Sequence, residues 1–355
     1  MIARDLSSST WIRNAWYVAA RSSELADAPL GRRICGEDVV LFRVGAGGVA
    51  ALEDVCPHRG ARLSLGHCRE GRVVCGYHGL EVGGDGATAA MAGQDVSRIP
   101  SIRTFPVIER FGFIWLWPGK ASEADADLIP SLTWANNPHW AYDGGVYHIA
   151  SDYRLMVDNL MDLTHETFVH ASSIGQNEIA EAPVETVLED GEVITRRFMQ
   201  AVTAPPFWQS ALASAGLPTD LPVDRWQICR FSPPSHVMIE VGVALAGEGG
   251  RNAPLERKVA AVVVDFITPE TETSHWYFWG MARQFVPENP ALTEAIRVGQ
   301  GRIFAEDLAV LEAQQENLSR RPDLRLLSLN IDAGGAQARA MIARQIRKES
   351  AFASG

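Results

Sequence analysis

The segment DNLMDLTHETFVH, which runs from Asp158 to His170, places two carboxylates and two imidazoles in an otherwise amphipathic stretch. On a regular helix Asp158, Asp162 and His165 share one face, because they follow one another at intervals of four and three residues. His170 lies five residues after His165, about 140° around the helix axis. Both imidazoles can therefore bind one metal ion only if the helix ends or bulges between them. The alternative is a solvated helix face with two ordinary histidines.

Two imidazoles and one carboxylate with open coordination positions are the ligand set of non-haem Fe(II) oxygenases. The helical run GRIFAEDLAVLEAQQENL offers four acids as the third ligand: Glu306, Asp307, Glu312 and Glu316. The residues three and four positions from Asp307 are all apolar, whereas Glu306 and Glu312 have polar or charged neighbours at these spacings. Because an acid that faces a core needs a compensating cation, Asp307 is the predicted metal ligand. An acid at the rim of an amphipathic helix is the alternative.

A second group of ligand-type residues lies earlier, in CPHRGARLSLGHCREGRVVCGYHG. Cys56-x-His58 and Cys75-x2-His78 each supply one thiolate and one imidazole from a glycine-containing loop. This mixed pairing favours a Rieske [2Fe-2S] cluster, in which two Cys bind one iron and two His bind the other. A tetrahedral Cys2His2 zinc site uses the same types of ligand and is the alternative.

The composition is that of a globular protein, with 46% hydrophobic and 21% charged residues among 355. Five unevenly spaced cysteines argue against a disulfide framework, and His67 and Cys68, between the two ligand pairs, are interpreted as loop or core residues. A net charge of −11 argues against nucleic-acid binding. No apolar stretch has the length of a signal peptide or a bilayer span. We therefore expect a soluble cytoplasmic protein that binds neither nucleic acid nor membrane.

Two domains must position these ligand groups, because the chain exceeds what one hydrophobic core usually supports. Around the Cys/His loops, short runs rich in Val, Ile, Phe and Trp alternate with Gly and Pro turns, which predicts a small all-β domain at about residues 11–120. The acidic segment KASEADADLIPSL then leads to a second domain, residues 121–355, to which residues 1–10 can also belong. Strand-like stretches such as KVAAVVVDFITPE, followed by helical runs, predict an α+β fold class for the whole chain.

The two ligand groups in this order resemble the signature of the Rieske non-haem iron oxygenase α subunits. Further stretches such as NAWYVAA, RFGFIWLWPG and LNIDAGG extend the resemblance over nearly the whole chain. It implies a helix-grip fold for the second domain, in which an antiparallel sheet wraps about a helix. It also implies two cofactors, a Rieske [2Fe-2S] cluster on Cys56, His58, Cys75 and His78, and a mononuclear Fe(II) on His165, His170 and Asp307.

The resemblance also implies partners and a reaction. The expected assembly is a homotrimer in which Asp162 bridges His78 of the partner subunit to its own His165 and so carries electrons. Asn159, in the same segment, is a further candidate catalytic residue. The expected reaction is O-demethylation of a small methoxylated aromatic acid with O2 and electrons from NADH. Because no G-x-G-x-x-G motif opens a helix, we expect the nicotinamide and flavin sites on a separate iron-sulfur flavoprotein reductase.

Arg225 and Arg230 in DRWQICR are candidates to bind the carboxylate of the substrate. They alternate onto opposite faces of the predicted strand, so at most one points into a cavity. Two other functions stay open: a related Rieske oxygenase that acts on another methoxylated or N-methylated aromatic, and a non-enzymatic electron carrier. An electron carrier has no need of a second metal site, which makes it the weakest of the three.

Overall fold

The computed structural model describes residues 10–45 and 47–353, which form two compact units. The first unit comprises Trp11–Leu132, Thr268–Thr271 and a C-terminal segment that begins at Glu349. The second comprises Thr133–Ile267 and Glu272–Lys348. The α+β class is confirmed, since the first unit is built on short strands and the second on a large sheet with helices.

Short strands and four 3-10 helices make up the regular structure of residues 11–45 and 47–132. The strands are β1 (Tyr17–Arg21), β2 (Leu30–Ile34), β3 (Glu37–Val44), β4 (Gly48–Glu53), β5 (His67–Arg69), β6 (Arg72–Val74), β7 (Glu81–Val82), β8 (Thr88–Ala90), β9 (Val107–Arg110) and β10 (Phe113–Leu116). The 3-10 helices are Ser22–Glu24, Leu63–Leu65, Ala121–Glu123 and Ala126–Leu128. The strands form three small antiparallel sheets with the orders β1-β10-β9, β2-β3-β4 and β5-β6-β7-β8.

The core of this unit is an apolar cluster between β3, β4, β6 and β7. Val40, Phe42 and Leu52 are completely buried there and pack with Cys56 and Cys75. Burial of each large apolar side chain stabilises the fold by about 1.5–3 kcal/mol. The cysteines thus belong to the core, and the loops that carry them are anchored by it.

A seven-stranded sheet organises the second unit. Its strands are β11 (Ala141–Ile149), β12 (Glu185–Glu189), β13 (Glu192–Val202), β14 (Val223–Ser232), β15 (His236–Leu245), β16 (Lys258–Thr271) and β17 (Ser274–Arg283), in the order β11-β17-β16-β15-β14-β13-β12. The helices are α1 (Tyr153–Met161), α2 (Glu166–Val169), α3 (Asn177–Glu181), α4 (Pro206–Ser214), α5 (Pro290–Arg320) and α6 (Ala333–Ala353). Three 3-10 helices, Gly250–Asn252, Leu255–Arg257 and Asn330–Asp332, complete the unit.

The helices pack on this sheet as a helix-grip fold requires. The long helix α5 lies against β11 and β17, and α1 lies against β14. Asn289 is the N-cap of α5: its side chain accepts the N–H of Leu292 at 3.1 Å, and Pro290 follows in the first turn of the helix. Every helix within residues 10–45 and 47–353 is too short or too polar to cross a lipid bilayer.

The centre of the sheet depends on a large side chain packed opposite a glycine. Trp226 on β14 is 1% exposed and pairs across the strands with Gly242 on β15. A Cβ atom on Gly242 would lie 2.2 Å from the Trp226 ring. Any side chain at this position therefore forces the indole out of its site.

We expect Gly242→Ala to lower the free energy of unfolding by about 1–3 kcal/mol, the usual cost of overpacking a core. Gly299→Ala is the control, because a Cβ atom there meets nothing within 4 Å and Gly299 lies inside α5. That change should stabilise the protein by about 0.5–1 kcal/mol, since alanine restricts the unfolded chain. Thermal denaturation at one scan rate compares the two variants. Equal midpoint temperatures for Gly242→Ala and Gly299→Ala would contradict the packing of Trp226 against Gly242.

Candidate functional site

Two loops of matching geometry hold the cysteine and histidine pairs of the first unit. One follows β4 and the other follows β6. In each loop the N–H of the cysteine, Cys56 or Cys75, donates to the carbonyl five residues later at 2.8 Å. A glycine with positive φ, Gly60 at 71° or Gly79 at 72°, donates to the carbonyl of that cysteine at 2.9 Å. Glycine reaches this left-handed conformation without strain, so both loops turn in the same way.

These loops bring like ligands together. Cys56 and Cys75 are 3% and 2% exposed, whereas His58 and His78 are exposed, with ring centroids 4.7 Å apart. Burial raises the pKa of the Cys56 thiol; the His58 N–H opposes this effect and the neighbouring Cys75 thiol adds to it. Two adjacent buried thiols and two adjacent exposed imidazoles fit a cluster with two Cys on one iron and two His on the other.

The remaining Cys and His of this region lie outside the two pairs. His67 and Cys68 both belong to strand β5. The His67 side chain is exposed, and Cys68 is half-buried against the apolar core. Cys68 thus packs against the core as expected, whereas His67 is an exposed strand residue rather than a loop or core residue.

In the second unit, His165, His170 and Asp307 come together from α2 and α5. Their ligand atoms all lie within 4.8 Å of one another. Nε2 of His165 is 3.7 Å from Oδ1 of Asp307, and Nε2 of His170 is 3.4 Å from Oδ2. Asp307 and His170 are each 2% exposed. Two imidazoles and one carboxylate in this arrangement could hold an Fe(II) ion.

The segment that carries the two histidines is not one continuous helix. Helix α1 ends at Met161, and Asp162 has extended backbone angles, φ −99° and ψ 115°. A separate single turn, α2, then runs from Glu166 to Val169, with His165 just before it and His170 just after it. The assumption of one regular helix that aligns Asp158 and Asp162 with His165 is therefore wrong. Asp158 forms an ion pair with Arg339 of α6 instead.

In each imidazole Nε2 faces Asp307, and a hydrogen bond at Nδ1 orients the ring. Nδ1 of His165 lies 2.7 Å from the main-chain carbonyl of Asp162, and Nδ1 of His170 lies 2.7 Å from Oε2 of Glu306. Both partners are acceptors, so each Nδ1–H donates and Nε2 is left to bind metal. Burial opposes protonation of His170, but Asp307 and Glu306 outweigh it and raise its pKa. The same carboxylates would favour any cation that binds between the two imidazoles.

Sequence reasoning missed the role of Glu306, which it weighed only as an alternative ligand. Glu306 and Asp307 are consecutive on α5, yet they approach opposite nitrogens of one imidazole. Their adjacency in the sequence is the only signal, and it does not show which ring they face. Of the other acids weighed, Glu312 accepts the N–H of Ala150 at 3.0 Å, and Glu316 forms an ion pair with Arg320.

Asn159 and Asp162 occupy different positions around this site. Nδ2 of Asn159 donates to Oδ1 of Asp307 at 2.9 Å and so holds the carboxylate. Oδ1 of Asp162 accepts the N–H of Thr164 at 2.7 Å, and its Oδ2 lies 4.0 Å from Nδ1 of His165. Asp162 therefore contacts His165 through its main-chain carbonyl rather than through its carboxylate.

A cavity of about 660 Å³, including its opening to solvent, extends from the His/Asp group. Arg225 lines the cavity, whereas Arg230 pairs with Glu192 at 3.4 Å and does not line it. The wall is mostly apolar, from Leu160, Leu163, Ile174, Phe207, Trp208, Ile239, Val241, Val263, Met281, Ile303 and Phe304. Such a wall suits an aromatic ring.

Fold and ligand groups together define an oxygenase of the Rieske non-haem iron class. Residues 15–106 match the Rieske [2Fe-2S] domain family, and residues 149–348 match the family described as Vanillate O-demethylase oxygenase C-terminal domain. The chain belongs to the vanillate O-demethylase oxygenase family and is a Rieske-type monooxygenase component. The recognition made from the sequence is confirmed, and the zinc and electron-carrier interpretations are excluded.

Individual relatives are similar to this protein over most or nearly all of the chain. The vanillate O-demethylase oxygenase subunit of Pseudomonas sp. (strain HR199) is 63% identical over 95% of each chain. The dicamba O-demethylase oxygenase component of Stenotrophomonas maltophilia is 37% identical over 86% of this chain and 88% of the relative. A crystal structure of dicamba monooxygenase bound to 3,6-dichlorosalicylic acid superposes with a TM-score of 0.89 at 34% identity, covering 97% of this chain and 100% of that one.

We expect Asp307→Ala to empty the mononuclear iron site and to spare the cluster, because the other ligand group lies on separate loops. Glu306→Gln should weaken iron binding by about 10–100-fold, since the amide still accepts from His170 but lacks the negative charge. The measurement is iron content after gel filtration together with the visible absorbance of the cluster. Glu316→Gln makes the same change on the exposed face of α5 and should keep all iron. Retention of full iron by Asp307→Ala would rule out this ligand assignment.

Proposed function

We propose that this protein is the terminal oxygenase that converts vanillate to protocatechuate and formaldehyde. The observation that carries the proposal is the apolar cavity, which joins a His/Asp metal site to a buried arginine in a chain 63% identical to vanillate O-demethylase oxygenase subunits. The proposed ligands are Cys56, His58, Cys75 and His78 for the cluster, and His165, His170 and Asp307 for Fe(II).

The reaction balances with one O2, two electrons and two protons. When bound, the two iron cofactors supply O2 activation and single-electron transfer. One oxygen atom enters a C–H bond of the methoxy carbon, and the other leaves as water. The resulting hemiacetal breaks its C–O bond, which releases formaldehyde and leaves the phenol. The chain must therefore hold the methoxy group beside the metal and keep bulk water out.

Different cavity residues exclude water, hold the metal ligand and bind the substrate. The apolar wall excludes water and packs the ring, and Asn159 holds Asp307 through its hydrogen bond at 2.9 Å. We assign the carboxylate of the substrate to Arg225, which is 3% exposed and lines the cavity. Arg230 takes no part, because it pairs with Glu192 outside the cavity.

Electrons must come from another protein, because oxygenase components of this family work with a separate reductase. We propose an iron-sulfur flavoprotein that uses NADH. We further propose that the chain assembles as a cytoplasmic homotrimer, since head-to-tail contacts between identical subunits close into rings. In this assembly Asp162 links His78 of the partner subunit to His165.

Turnover of a small panel of aromatic substrates tests the activity. The purified protein, an NADH-dependent reductase and O2 are supplied with vanillate, 3-methoxybenzoate, 2-methoxybenzoate or an N-methylated aromatic. We expect vanillate to give the highest kcat/KM, with one formaldehyde released for each NADH oxidised. If another compound of the panel gave a higher kcat/KM than vanillate, that methoxylated or N-methylated aromatic would be the better candidate for the substrate.

Asp162→Asn separates the proposed electron bridge from an orienting role. Asparagine keeps the main-chain carbonyl that accepts from His165, so both iron sites and the trimer should stay intact. Loss of the carboxylate should instead slow the transfer of electrons to the mononuclear site. Stopped-flow mixing of the reduced variant with vanillate and O2 should show much slower reoxidation of the cluster. A wild-type rate in an iron-replete variant would leave Asp162 with the orienting role alone.

A further inference from the structure

Three side chains of the cavity form a buried polar group. Glu166 is the first residue of α2, and Arg225 and Gln227 lie on the same face of β14. They are 8%, 3% and 2% exposed. Nε2 of Gln227 donates to Oε1 of Glu166 at 2.6 Å, and Nη2 of Arg225 donates to Oε2 of Glu166 at 3.4 Å. Glu166 thus connects the proposed substrate arginine to the turn between the two proposed iron-binding histidines.

The two edges of the Arg225 guanidinium differ in their hydrogen-bond partners. Nη1 donates to Oε1 of Gln176 at 2.6 Å and to the carbonyl of Ile174 at 3.3 Å. Nε is buried and has no hydrogen-bond partner among the residues that the structure describes, and Nη2 has only the long contact with Glu166. A carboxylate binds arginine through two parallel N–H bonds. The Nε/Nη2 edge is therefore the one available to a ligand carboxylate.

Glu166 competes for this edge. A ligand carboxylate on Nε and Nη2 would lie beside the carboxylate of Glu166, and like charges repel strongly away from bulk water. One guanidinium edge does not hold both anions. The bond from Gln227 offers Glu166 a partner that does not depend on Arg225.

We propose that Glu166 is a positioning residue, which the carboxylate of the substrate displaces from Arg225, and that this displacement moves the turn carrying His165 and His170. Helix α2 has four residues, with His165 at its N-cap and His170 at its C-cap. A shift of Glu166 is thus transmitted to both imidazoles through one turn of backbone. The inference rests on the proposed function and deepens it, because it makes an aromatic carboxylate the signal that adjusts the metal site.

Binding to the iron-loaded protein without O2 tests the competition by calorimetry. The probes are vanillate and vanillyl alcohol, which differ in the carboxylate. Glu166→Gln should tighten vanillate binding by about tenfold, since it removes a like charge, and leave the alcohol unchanged. Arg225→Gln should weaken vanillate alone, and in the double variant the effect of Glu166→Gln should vanish. Glu166→Asp, whose carboxylate is one methylene shorter, should tighten vanillate by less.

The coupling to the metal site has its own readout, the electron paramagnetic resonance spectrum of the ferrous nitric oxide adduct. In the wild type, vanillate should change this spectrum and vanillyl alcohol should not. In Glu166→Gln the spectrum should be the same with and without vanillate. Iron content and cluster absorbance confirm that each variant is folded and loaded.

Two results would overturn the inference. In the first, Glu166→Gln and Glu166→Asp weaken acid and alcohol equally, as a merely structural role predicts. In the second, the spectral response to vanillate survives in Glu166→Gln. Failure of the proposed function looks different: the wild type would bind vanillate with the predicted dependence on charge but release no formaldehyde.

Discussion

The catalytic unit depends on the point at which helix α1 stops. Because the helix ends at Met161, the main-chain carbonyl of Asp162 is free to accept from His165. The chain then makes a single turn, which sets His165 and His170 at its two ends and turns both Nε2 atoms toward Asp307. A continuous helix would leave the two imidazoles on different faces, and the three ligand atoms would not meet.

Buried charge is the second constraint on this unit. Asp307 is held by Asn159, and Glu306 holds His170, so negative groups lie beside the two imidazoles, and Asp307 and His170 are buried. Such an arrangement is costly without a cation and favourable with one. Glu166 and Arg225, by contrast, pair with each other, and both line the cavity beside the His/Asp group. Iron would compensate the carboxylates near the imidazoles, whereas an aromatic acid would compete with Glu166 for Arg225.

In the first unit, the backbone conformation of two loops places the candidate cluster ligands. Two loops of the same conformation keep the thiols inside an apolar core and the imidazoles at the surface. The core anchors the buried thiols, and the exposed imidazoles can meet a partner. An electron-transfer cluster needs both properties, since it must be anchored firmly and yet be accessible.

The sequence by itself determined the α+β class and the family and predicted the two candidate ligand groups, because these depend on residue types at fixed spacing and on short-range periodicity. Asp307 could be preferred over its neighbours, since only its helix face is apolar. The tertiary structure alone decided that Glu306 orients His170, that Asp162 acts on His165 through its carbonyl, and that Arg225 meets Glu166. Each of these contacts depends on where a helix ends or on which strand face meets which turn, and packing between distant segments sets both.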